Sequence, residues 1–105
     1  MIFQQKLKLA VALKYTQNVD VAPLVVASGR GVLAQALVKR ALDLDIPIHP
    51  DGELAELLGD VDVGQTIPEE MYEVVAQIMA MVYKMDTALN NRLRTSDWNT
   101  ILQIV

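Results

Sequence analysis

Residues 7–15 read Leu7-Lys8-Leu9-Ala10-Val11-Ala12-Leu13-Lys14-Tyr15. Apolar residues recur at every second position, which is the period of a strand. Leu7, Leu9, Val11, Leu13 and Tyr15 form one face. Lys8, Ala10, Ala12 and Lys14 form the other, small in its middle and charged at its ends. Two alanines admit a helix close to the sheet, and the lysines keep their amines in water. A strand covered on both sides belongs inside a sheet. Leu7–Tyr15 is therefore predicted to be the central strand.

The rest of the chain supplies what such a strand requires. After polar residues and the turn-forming Asn18, Asp20 and Pro23, Leu24–Ala27 reads as a second strand. Ser28-Gly29-Arg30-Gly31 follows as a turn. A helix comes next, with Leu33, Leu37, Ala41 and Leu44 on its apolar face. Ile46-Pro47-Ile48 reads as a short strand, and a right-handed crossover makes it parallel to Leu24–Ala27. Asp51 is placed to cap a short helix carrying Leu54, Ala55, Leu57 and Leu58, ended by Gly59. Val61-Asp62-Val63 alternates like a further short strand, closed by Gly64. Thr66-Ile67-Pro68-Glu69 has the spacing of a capping box. The helix after it presents Met71, Val74, Val75, Ile78, Val82 and Met85 on one face. In the tail, Asp97 is expected to cap a last helical turn or two with Trp98, Ile101, Leu102 and Val105 on one side, folded back on the domain. The sum is an α/β fold: a three- to four-stranded mixed sheet with about four helices around it. Residues 1–86 form the domain and 87–105 a helical extension.

Composition narrows the function. The chain has 105 residues, enough for one core and too few for two. Its net charge of −4 argues against nucleic acid as a partner, because phosphate binding needs clustered cations. It has no cysteine, which removes disulfides, thiolate catalysis and cysteine–zinc sites and favours the cytoplasm. No apolar run approaches the ~20 residues that cross a bilayer.

Candidate chemistry is sparse. Ser28–Gly31 sits where phosphate loops sit, between a strand and a helix. It lacks a third glycine and the Gly-Lys-Ser/Thr of a nucleotide loop, and tight-turn geometry alone explains its glycines. A small phosphate- or nucleotide-binding protein using this turn is the alternative function. Asp43, Asp45, His49 and Asp51 are rich in ligand atoms, but Pro47 and Pro50 interrupt them and the spacing fits no cation loop. His49, the one histidine, has no nucleophile presented to it by any known motif. Glu69, Glu70 and Glu73 suit the positive end of a helix dipole. No catalytic residue, metal or cofactor is expected.

Four stretches, read together, resemble one family. They are Ala10–Tyr15; Ala22-Pro23-Leu24-Val25-Val26-Ala27-Ser28-Gly29 with Gly31–Ala34; Ile46-Pro47-Ile48 with Leu54-Ala55; and Val63-Gly64 through Ile67–Tyr72 to Val82-Tyr83. The chain is similar to the cytoplasmic C-terminal domain of the export-apparatus switch proteins of flagella and type III secretion systems, the FlhB/YscU/SpaS family. The resemblance implies a small α/β domain that helps decide which proteins are exported. It also implies self-cleavage at Asn-Pro-Thr-His, just ahead of the central strand. This sequence has Gln5-Lys6-Leu7-Lys8 in that register. A glutamine makes the wrong ring size, and the proline and histidine are replaced. The expectation is a free-standing, uncleaved, non-enzymatic binding module. Its implied partners are protein components of the export apparatus or its substrates, and any position at the membrane comes through them. Trp98, Ile101 and Leu102 are the candidate partner-binding residues.

Overall fold

The computed structural model describes residues 9–16, 20–85 and 99–105. Strand β1 (Leu9–Thr16) does lie inside the sheet. It pairs antiparallel with β2 (Leu24–Arg30) on one side and antiparallel with β4 (Asn99–Ile104) on the other. The two-residue β3 (Ile48–His49) pairs parallel with β4, giving the order β2-β1-β4-β3. The sheet is therefore mixed, and β3 runs parallel to β2 as expected, with two strands between them.

The two faces of β1 have different tasks. Leu9, Val11 and Leu13 enter the main core with Val25, Leu54, Leu58, Ile67, Val75, Ile78, Met79 and Ile104. Helix α2 (Gly52–Gly59) and helix α3 (Tyr72–Met85) supply that side. Each of these large side chains contributes roughly 1.5–3 kcal/mol when taken fully out of water. On the opposite face, Ala10 stands across from Gly29 and Ala12 across from Ala27. These four small residues make a floor for helix α1 (Val32–Asp43), which packs across β1 and β2. The approach is so close that a Cβ on Gly29 would lie 2.6 Å from the Leu33 Cβ.

That closeness changes which residues α1 buries. Ala34 and Ala41 are fully buried, whereas Leu33 and Leu44 of the expected apolar face are largely exposed. A helix seated on alanine and glycine meets the sheet through its own smallest side chains. Similar rotations leave Leu57 of α2 and Val74 of α3 exposed, while Met79 is buried.

Four further expectations are corrected. Strand β2 runs on through Ser28, Gly29 and Arg30, so only Gly31, at φ 58°, is left to turn the chain into α1. Residues 61–63 form no strand. Gly64, at φ 95°, turns the chain so that Gly64 and Gln65 bond to Val25, and Thr66 bridges to Leu24 along the outer edge of β2. The cap position falls at Pro68, two residues past Thr66, so Thr66 makes no capping box. The helix begins instead as a 3-10 turn (Glu69–Met71) behind Pro68, with no side-chain cap. Lastly, residues 99–104 are strand and not helix. Thr100, Ile101 and Ile104 are β-branched and favour extended backbone. The Asp51 cap is as expected, its Oδ1 accepting from the Leu54 N–H at 3.1 Å.

Candidate binding groove

The residues singled out for chemistry do not converge. Of Ser28–Gly31, three lie in β2, so there is no glycine loop in which to cradle a phosphate. Asp43 ends α1, Asp45 sits in the turn after it, His49 is in β3 and Asp51 caps α2. His49 Nε2 is 3.9 Å from Asp51 Oδ2, but the described residues hold no group of three metal-ligating side chains. Glu69, Glu70 and Glu73 are exposed at the start of α3. Arg30 makes a two-pronged contact with Glu56 of α2, Nη1 to Oε2 at 3.3 Å and Nη2 to Oε1 at 3.2 Å. That hydrogen-bonded carboxylate raises the guanidinium pKa further above its already high value. Both groups stand in solvent, which makes the pair a surface tie. Residues 5–8 and Trp98 lie outside the described residues. Ile101 and Leu102 fall in β4, in register with Lys14 and Leu13.

What the fold does assemble is an apolar groove of ≈ 270 Å³, lined by Tyr15, Val21, Ala22, Pro23, Tyr72, Ala76 and Met79. Three parts of the chain meet there: the end of β1, the β1–β2 connection, and one face of α3. On α3, Tyr72, Ala76 and Met79 are spaced by four and three and so share a face. The rim is held by hydrogen bonds to and within the backbone. Asp20 accepts from the Thr16 N–H through Oδ2 at 2.8 Å and donates its own N–H to the Thr16 carbonyl at 2.9 Å. The Ile67 N–H donates to the Pro23 carbonyl at 3.0 Å, tying the approach to α3 to the opposite wall. Ile67 itself is fully buried. Ala22 and Pro23 are also buried, yet Val21 at the mouth is 90% exposed. Val21 thus stands exposed beside the cleft that it helps to line.

None of the described lining residues carries a charge. Among the described lining residues the polar side-chain groups are the two tyrosine hydroxyls, so these residues offer apolar contact with a few hydrogen bonds at the border. Sequence reading missed it because its walls are far apart in the chain. The one local signal is Ala22-Pro23 set against Tyr72-x3-Ala76-x2-Met79.

Comparison with known proteins decides the relationship. Residues 6–82 match the family model described as the FlhB HrpN YscU SpaS family. The chain belongs to this family. The chain is 39% identical over 89 residues to the uncharacterized protein YlqH of Bacillus subtilis, a match covering 85% of this chain and 96% of that one. It is 44% identical over 75 residues to the flagellar biosynthetic protein FlhB of Aquifex aeolicus, covering 70% of this chain but only 21% of that protein. The chain thus spans about a fifth of the length of that flagellar relative. The fold is similar to a mutated EscU/SpaS C-terminal domain, with a TM-score of 0.70 at 32% identity, over 73% of this chain and 96% of that domain. No described helix is long and apolar enough to cross a membrane.

Proposed function

We propose that this FlhB-family chain is a non-enzymatic binding module of flagellar or type III protein export, working in the cytoplasm. It takes an apolar segment of an export component or export substrate into the Tyr15–Pro23–Tyr72–Met79 groove. The observation that carries this reading is the groove itself: apolar along its described lining, open, braced by hydrogen bonds at Thr16–Asp20 and Pro23–Ile67, and bordered by the exposed Val21. Family membership supplies the class of partner. The absence of a Pro-Thr-His sequence after Gln5 supports an uncleaved chain, since Lys6-Leu7-Lys8 stands there.

The test uses residues whose replacement spares the fold. Val21 and Ala76 are exposed, so Val21→Asp and Ala76→Glu place a charge in the groove without opening the core. Immobilised full chain is exposed to extract from a flagellated bacterium and the retained proteins are identified. Export components retained by the parent chain and lost from both variants, with unchanged melting temperatures, are the expected result. Equal retention by all three chains would remove the groove from the mechanism. The alternative use of Ser28–Gly31 predicts a rise in melting temperature with nucleotide or phosphate, and the strand conformation of that stretch predicts none.

A further inference from the structure

The sheet depends on a strand that the family match does not include. Residues 6–82 hold β1, β2 and β3, but β4 (Asn99–Ile104) lies beyond them. Among the described strands, β3 pairs with β4 alone, and β4 is what joins it to β1. In register terms, β4 runs along β1 from Val11↔Ile104 to Thr16↔Asn99. The matched stretch by itself therefore presents a slot: the unpaired inner edge of β1 on one side and β3 on the other. Backbone donors and acceptors left open along six residues are costly wherever water is excluded, so the slot calls for a strand.

We propose that the space between β1 and β3 is a strand-acceptor site, filled in this chain by its own C-terminal β4 as a tethered donor. When β4 withdraws, the site takes an extended segment of a partner protein that runs antiparallel to β1. Its recognition features are on one line. The β1 edge offers a hydrogen-bond ladder. Ile104, fully buried beside Val11, marks an apolar hole in the core. Beyond it the donor's end is clamped, as the Val105 N–H donates to the His49 carbonyl at 3.1 Å and the Asp51 N–H donates to the Val105 carbonyl at 2.8 Å. Asp51 is also the cap of α2, so the clamp is built into a helix start. The ligand class is an extended peptide of at least six residues with a β-branched apolar anchor near its C-terminal end. Covalent attachment gives β4 a high effective concentration, so the intact chain binds an outside strand only when its own is weakened. This site meets the groove at the end of β1, where Tyr15 lines the groove and pairs with Thr100, but its test reads strand binding at Ile104 and does not depend on what the groove binds.

The experiment uses the full chain and a fluorescent peptide of residues 96–105. Full-length Ile104→Asp, whose own donor no longer fits the hole, is expected to bind the peptide at least tenfold more tightly than the parent chain and to melt at a higher temperature when it is bound. A peptide carrying the same Ile104→Asp change is expected to bind at least tenfold more weakly than the unmodified peptide. Equal binding by variant and parent, or a folded variant that takes no peptide, would overturn the proposal. Should Ile104→Asp fail to fold, a parent chain carrying a protease site between Thr95 and Ser96 is cut after folding, unfolded in urea, and refolded with a twentyfold excess of labelled peptide. Label in the folded fraction in proportion to that excess is the expected result, and a folded fraction without label overturns the proposal.

Discussion

Replacing Gly29 with alanine tests the packing on which the fold rests. Gly29 is a strand residue on the floor beneath α1, and an added Cβ would stand 2.6 Å from the Leu33 Cβ, where ordinary contact begins at 3.4 Å. The Leu33 Cβ is fixed to the helix backbone, so no rotamer change relieves the clash. The whole of α1 has to move outward by nearly 1 Å, loosening Ala34 and Ala41 from the sheet. Overpacking of this kind costs about 1–3 kcal/mol, less the ~0.5–1 kcal/mol that alanine recovers over glycine within a strand. The net is about 0–2.5 kcal/mol, centred near 1.25, and at 4–8 °C per kcal/mol for a domain near this size the centre of that range corresponds to a fall in melting temperature of roughly 5–10 °C. Thermal unfolding followed by circular dichroism reads this directly. Gly52→Ala is the control, because nothing lies within 4 Å of its Cβ position and it begins α2. It should leave stability unchanged or raise it by up to ~1 kcal/mol. If Gly29→Ala melts within about 2 °C of the parent chain, the close seat of α1 on an alanine and glycine floor is wrong.

Other outcomes follow from single contacts. Asp51→Ala removes the Oδ1 cap on Leu54 and should cost about 0.5–2 kcal/mol, read from the urea midpoint. Arg30→Gln breaks the exposed pair with Glu56 and should leave the melting temperature unmoved at physiological salt, with the Arg30→Gln/Glu56→Gln double variant indistinguishable from either single one. Trp98→Ala is proposed to weaken binding of an export component by more than ~1 kcal/mol with the melting temperature held. A fall in melting temperature with affinity spared would assign Trp98 to packing instead.

The alternation of LKLAVALKY gave away the centre of the fold, because a strand with bulk on one face and alanines on the other has few other homes. The Asp51 cap was equally legible, being a local rule between residues three apart. What failed was non-local. Ser28–Arg30 resembles a turn in isolation, and only pairing with Leu9–Val11 makes it strand. The tail satisfies a helical spacing at Trp98, Ile101, Leu102 and Val105, and short apolar runs fit both periods. Its state is decided by the open edge of β1, which the tail's own residues do not reveal. The groove was invisible for the same reason: Pro23 and Met79 become neighbours only once Ile67 is bonded to Pro23 across the sheet edge.

The most direct test of a binding role in export places a photocrosslinking amino acid at the exposed Ala76 of the full chain, in cells carrying a flagellar export apparatus. Irradiation should join the chain to an identified export component or substrate, and Val21→Asp on the same chain should abolish that adduct. A folded chain that yields no adduct with any export protein, or the same adduct despite Val21→Asp, would contradict it.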